Sequence, residues 1–523
     1  MATWYIHPLL GSSANNGTSQ STPKQFYDTA FRALTAAGDT VLFAAGYYHP
    51  IIDAFIAPRS GTPAKWTYYG SYGSSQVRYA FLYNPAGTGN MILNCAGSKY
   101  ITFEDLFFDM RGTDVRYSLN LCTQSASVCS DVVVRRCLAY GSNSASGNGD
   151  GFSIYKQASA TGVVPYNILL EDCQSFGNGG HGVFVQGTGI VVRRHKALRN
   201  GSTAPYGAHG ISFGAPKFDM AASGWNVSSG NVYQRNLPAN HADVYGLRMD
   251  GYGSYISKYT GATPATSTPA NQYAVAGGVL YLNLNGVNPN TLTGTYAWDQ
   301  TQGNVVEFCE AAFNYWSRSA PYREGHGIAM DDWSKLSVIR GNYVHHNEGL
   351  GLSNNRGDGN RWVANDVAYN ALAAFSANPA DAVELTNNTF WMNNTDPGTY
   401  SAEANFNGDC SNGRINNNLI VCGAGDAYGV SIVTTNVGFS GASNLVYGAE
   451  LPFQTGTFVD TDVSDPARWL DSDRTLLEYG VDGVRMLNPL AKRGAYVANV
   501  VTRNGIRGYA GAMPVGAYGQ EVY

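Results

Sequence analysis

Short strands show along this chain as alternating apolar and polar residues, and the same alternation returns many times. Its clearest copies are Asp131–Cys137, Asn167–Cys173 and Gly189–His195, each a turn residue, a run of Val, Ile or Leu and a charged pair. Weaker copies stand at Gly303–Cys309, Leu336–Asn342, Arg361–Val367, Ala382–Asn388 and Gly413–Asn418, with an early one at Lys99–Leu106. A second signature follows several of them: Asn148–Ile154, Gly179–Val185, Gly207–Phe213, Glu324–Met330 and Glu348–Asn354. There a Gly-x-Gly turn precedes a run of period two, which reads as a tight turn into a half-buried strand.

The copies recur roughly every 20 to 40 residues, with almost no amphipathic helix between them. A barrel or doubly wound α/β fold would need such helices. Self-similarity at this period instead marks stacked repeats. The expected fold is all-β, a parallel β-helix in which each repeat is one rung of a solenoid.

Three segments break the period. Gln25–Ala37 reads as a helix with Phe26, Ala30, Phe31 and Leu34 on one face, capping the open end of the solenoid. The stretch from Asp219 to Gln302 reads as a small β insertion, with a strand at Gly278–Leu284. Pro466–Tyr479 reads as a second helix. The expected division is 1–48 cap and first strand, 49–218 rungs, 219–302 insertion, 303–450 rungs and 451–523 C-terminal region.

Composition narrows the function classes. Charged residues are 14% of the chain and aromatics 12%, with 62 Gly and 35 Tyr, which suits an extracellular all-β surface. Net charge is −5 with no basic block, so nucleic acid is not an expected partner. No apolar run is long enough to span a membrane, and Met1–His7 lacks the features of a signal peptide. The eight Cys form no C-x-x-C pair, and Cys137 and Cys173 take the same place in two copies. They are expected to be free, buried thiols, with no zinc site.

The second signature carries candidate chemistry. If it marks one column, Asp150, His181, His209 and His326 project from equivalent places, about 4.8 Å apart per rung. The 117-residue step from His209 to His326 would hold the insertion and at least one further rung. A row of imidazoles can exchange protons near neutral pH. The densest cluster adds Arg323, Glu324, Asp331, Asp332, His345, His346 and Glu348. Carboxyl groups drawn from two places can divide acid and base roles in glycoside cleavage. Adjacent strand residues face opposite sides, so only one of Asp331 and Asp332 faces the groove unless the chain turns there. The expected catalytic set is His326, Asp331, Asp332, Glu324, His209, His181 and Asp150. Arg323, Arg356, His345, Tyr322, Trp333 and Tyr155 are the expected substrate contacts. No metal site is expected. Lys156 reads as a surface lysine.

Trp4-Tyr-Ile, Asn15–Ser19, Thr22-Pro23, Gly38–Val41, Gly46-x-Tyr48 and Met513–Tyr518 resemble the entry and tail of the right-handed parallel β-helix, pectate-lyase-like superfamily. That resemblance implies a polysaccharide lyase, a glycoside hydrolase, an epimerase or a bacteriophage tailspike depolymerase. It further implies an extracellular or virion-associated protein, and a homotrimer if it is a tailspike. Gly149–Ser153 is similar to the calcium-binding turn of family-nine polysaccharide lyases, which makes calcium the one cofactor to consider. Only Asp150 matches the acids of that turn, and no Lys stands near Phe184 where that family's base would fall. The expected function is cleavage of an acidic bacterial capsule or exopolysaccharide, with β-elimination slightly favoured. The alternatives are a glycoside hydrolase using a carboxyl pair and a non-catalytic glycan-binding adhesin.

Overall fold

The computed structural model describes most of residues 1–453, the longer exceptions being 52–56, 86–90, 112–115, 143–148, 203–207, 239–243, 251–254, 260–267 and 317–323. Beyond Phe453 it describes four short strands between Leu477 and Ile506.

Three long sheets of 13, 12 and 11 strands run the length of the described chain, and their neighbouring strands pair in parallel. The chain visits them in turn. Ser130–Arg135 lies in the first, Leu138–Tyr140 in the second and Phe152–Lys156 in the third; Tyr166–Glu171, Gln174–Phe176 and Val183–Val185 repeat the circuit. Each circuit is one rung, and the expected parallel β-helix is the architecture found. Alternation places Val132 and Val134, then Ile168 and Leu170, inside a single apolar core.

The corners explain the first signature. A residue with positive φ ends the first strand of each rung: Arg136, Asp172, Arg194, Phe308, Gly341, Ala364, Asn387 and Asn417. One left-handed residue turns the chain sharply into the next sheet. The following side chain points inward, so Cys137, Cys173, His195, Cys309, Asn342, Asn365, Asn388 and Asn418 stack in one buried column. The corner residue of the Arg361 copy is therefore Asn365, two positions before Val367. All eight Cys are free and buried.

A second column runs Asn178, Asn200, Asn314, Asn347, Asn370 and Asn393, each Nδ2 donating to the next Oδ1 at 2.7–3.1 Å. These amides satisfy the corner main chain, which would otherwise be buried without partners.

The N-terminal helix is shorter than expected. It spans Thr29–Leu34, because Asp28 accepts from the Phe31 N–H at 2.7 Å and caps it there. Of the face expected from spacing, Phe31 is buried beside Tyr27, which precedes the helix, whereas Ala30 and Leu34 are exposed. Between Lys217 and Trp298 an eight-stranded, mainly antiparallel sheet has its own core, including Val244, Leu247, Tyr273 and Leu282. The helix expected over 466–479 is a strand at Leu477–Gly480, paired with Gly483–Met486; residues 466–476 lie outside the described residues.

Candidate functional site

The third sheet carries the second signature. Its strands Phe152–Lys156, Val183–Val185, Ile211–Phe213, Ile328–Met330 and Leu352–Asn355 are direct neighbours in that order. Val183, Ile211 and Ile328 are in register, so Asp150, His181, His209 and His326 stand in one column. The Ile211 strand pairs directly with the Ile328 strand, so no further rung separates His209 from His326. The intervening chain is taken up by the antiparallel sheet and by the first part of the rung to which His326 belongs.

Close approach accounts for the Gly-x-Gly turns. A side chain at Gly349 would run into Nδ1 of His326, and one at Gly180 into Oδ1 of Asp150. The second glycine of each turn abuts main chain, Gly182 against the carbonyl of Gly210 and Gly210 against that of Gly327. The glycines let the column side chains reach back to the amide of the following rung. Asp150 Oδ1 accepts from the His181 N–H at 2.9 Å, His181 Nδ1 from the His209 N–H at 3.0 Å, and His326 Nδ1 from the Leu350 N–H at 2.9 Å.

Glu324 and Asp331 flank the strand that His326 enters. Glu324 Oε2 lies 3.4 Å from His209 Nε2 and 3.3 Å from His326 Nε2, and Asp331 Oδ2 lies 3.2 Å from His209 Nε2. The His209 and His326 rings stack at 4.7 Å with 6° between planes. Asp332 and Trp333 both have positive φ, so the chain turns as the strand ends. Asp331 and Asp332 thus both line one cavity of about 300 Å³, with His181, Phe184, Gln186, His209, Ser212 and Glu324. Asp332 holds Arg356 at 2.8 Å on the rim.

Burial first, then the charges of Asp331 and Asp332, raise the Glu324 carboxyl above its ordinary range against the pull of His209. Burial and Asp331 raise Asp332 as well. Burial works against a charge on His209, yet the Asp331 hydrogen bond and the two carboxylates raise it overall. Burial and then the neighbouring His209 push His181 and His326 well down.

A metal ion does not fit the His209–Glu324–His326 group, although its ligand atoms lie within 4.8 Å of one another. His326 Nδ1 accepts an amide N–H, so its proton sits on Nε2, the nitrogen facing Glu324. An ion there needs that nitrogen bare and the other one protonated. At Asp150 the column offers calcium only one free oxygen, Oδ2. That side chain is buried, its Oδ1 is occupied by an amide, and its next column neighbour is an imidazole rather than an oxygen donor.

Several expected residues lie elsewhere. Asp150 is in the column but behind the cavity wall; burial pushes its carboxyl up to about 7. His345 belongs to strand Tyr343–His345 of the second sheet, facing Glu310 at 3.5 Å, because the Asn347 corner separates it from the site. Trp333 packs on Gly246 of the antiparallel sheet rather than lining the cavity. Tyr155 sits one rung beyond, paired with Tyr117 at 5.6 Å. Tyr322 and Arg323 lie outside the described residues. Lys156 is buried, its Nζ 2.8 Å from Asp299 beside the antiparallel sheet. Phe184, Gln186, Ser212 and Asn355 also line the cavity and are not among the expected site residues, although outward alternation beyond each Gly-x-Gly turn marks Phe184 and Ser212, which are cross-strand partners.

No protein-family model matches the chain, and no curated protein matches it by sequence. Among solved structures, the A-module of mannuronan C-5 epimerase AlgE6 from Azotobacter vinelandii is similar with a TM-score of 0.51 and 13% identity, over 84% of this chain and 93% of that one. Pectate lyase Pel9A gives 0.43 and 13% over 99% and 96%. Tailspike protein 3 of bacteriophage CBA120 gives 0.37 and 10% over 83% and 58%. The first places the chain in the parallel β-helix fold; the other two are looser.

Proposed function

We propose that this chain cleaves a polysaccharide by glycoside hydrolysis in the cavity around His209, with Glu324 as the general acid and Asp331 as the base or nucleophile. The supporting observation is the convergence of two carboxyl groups on one imidazole nitrogen, one of them raised towards holding its proton. A carboxylic acid paired with a nearby second carboxyl is what both hydrolytic routes require. Three acids in one small cavity disfavour a uronate at the cleaved bond. Two cations, Arg356 and Lys217, act on Asp332, and Arg356 is already paired with it. This moves the balance from β-elimination, slightly favoured in the sequence reading, towards hydrolysis of a neutral or mixed bacterial capsule or exopolysaccharide. The same reading has the protein acting outside the cell or on a virion, as a trimer in the latter case.

Incubation with a panel of capsular and secreted polysaccharides tests the proposal. Shortened chains with new reducing ends, and no ultraviolet absorbance from an unsaturated uronate, are expected. The absorbance would indicate elimination. Saturable binding that leaves every polymer at full length would indicate an adhesin.

A further inference from the structure

The three imidazoles of the column do not stand in equivalent hydrogen bonds. Nδ1 of His181 and Nδ1 of His326 each accept a main-chain N–H from the next rung, at 3.0 and 2.9 Å. Amide protons cannot be moved aside, so both rings are held as the neutral tautomer with the proton on Nε2. Adding a second proton to either ring would set N–H against N–H and break that bond. His209 differs. Its Nδ1 is buried without a hydrogen-bond partner, so a proton there breaks nothing. Its Nε2 faces Asp331 at 3.2 Å and Glu324 at 3.4 Å, which favour a positive ring. Stacking His326 at 4.7 Å against a cation further opposes a second charge next door.

We infer that His209 alone of the three takes a second proton, and that the cation so formed positions Glu324 and Asp331 and sets the pH range in which they can act. The groups facing it are His181 on the preceding rung, and Glu324, His326 and Asp331 around the following strand, with Asp332 and its partner Arg356 farther along the wall. Tyr400 also feels the Glu324 charge. His181 and His326 then act as fixed Nε2–H donors. His326 aims its proton at Glu324 at 3.3 Å, which limits how far the carboxyl can rotate from the cavity. His209 is a positioning residue here: it acts through the two carboxyl groups. That last step rests on the hydrolytic reading above, whereas the assignment of protons does not.

Two measurements separate the layers. Nitrogen–proton correlation spectra of the full chain labelled at histidine report the tautomer and charge of each ring. His181→Gln, His209→Asn and His326→Gln spectra assign the signals. Between about pH 5 and 8, His181 and His326 should keep the neutral Nε2–H pattern, whereas His209 should carry the cation at the acid end of that range. Titration of His326 or His181 in that window, or a neutral His209 throughout, overturns the inference whether or not the protein cleaves anything. If an assignment variant does not fold, wild-type protein labelled at both histidine and leucine still decides it, through contacts between the His181 ring and the His209 amide and between the His326 ring and the Leu350 amide. On a cleaved glycan, His209→Asn should move both limbs of the pH–rate profile to higher pH by roughly one unit, since both carboxyl groups lose a neighbouring cation. A uniform fall in rate with unmoved limbs would show His209 to be structural only.

Discussion

Glu324 and His209 meet across adjacent rungs of the third sheet, Oε2 to Nε2 at 3.4 Å, in a chain where 115 residues separate them. The contact exists because the Ile211 and Ile328 strands pair directly, with the antiparallel sheet between Lys217 and Trp298 placed outside the stack.

Replacing the carboxyl groups should divide their roles. Glu324→Gln keeps the shape and removes the acid, and Asp331→Asn removes the second carboxylate. Each should lower kcat by about 10²- to 10⁴-fold, with an unchanged unfolding midpoint. Asp332→Asn should cost less in kcat and more in KM, since Asp332 holds the rim arginine Arg356. Steady-state kinetics on any glycan the protein cleaves checks all three.

Asp150 gives a pH dependence of stability rather than of rate. Its folded-state ionisation lies near 7, above the unfolded value, so its contribution is fully present below about pH 4 and is lost as pH climbs through about 7. Asp150→Asn retains an oxygen for the His181 N–H and abolishes the titration. The variant should gain on wild type between pH 4 and 7, by on the order of 4 kcal/mol at most, which unfolding midpoints at pH 5 and pH 8 would show.

Lys156 and Asp299 form an ion pair with side chains 4% and 15% exposed. Asp299→Ala strands a buried ammonium and should cost about 3–5 kcal/mol. Lys156→Met with Asp299→Leu removes both charges and should recover most of it. Denaturant unfolding of the single and double variants checks the coupling.

The amide column predicts a local cost of another kind. Asn370 accepts from the Asn347 amide and side chain at 3.0 and 2.8 Å and donates to Asn393 at 2.7 Å. Asn370→Ala leaves these buried groups unsatisfied and should cost about 3 kcal/mol or more. Protease sensitivity should rise first at the neighbouring corners.

The stack was legible because its corners repeat: Cys137, Cys173 and His195 follow the same positive-φ residue on successive rungs. The column was legible for the same reason, since a small residue, Gly180, Ala208, Gly325 or Gly349, stands before each column position where one rung's side chain meets the next rung's turn. What stayed hidden was which sheet each residue joins. His345 stands close to Glu348 in sequence, but the Asn347 corner sends them to different sides of the helix. Lys156 looked like a surface residue because its partner, Asp299, arrives from 143 residues away. The N-terminal helix was overextended because helical spacing does not reveal that Asp28 would cap at Phe31.

The central claim is that bonds break between Glu324 and Asp331. The most direct test is reducing-end release from a responsive polysaccharide by wild type, Glu324→Gln and Asp331→Asn at matched folding. The account predicts release by wild type and a loss of at least about 100-fold in both variants. Full activity in both would contradict it.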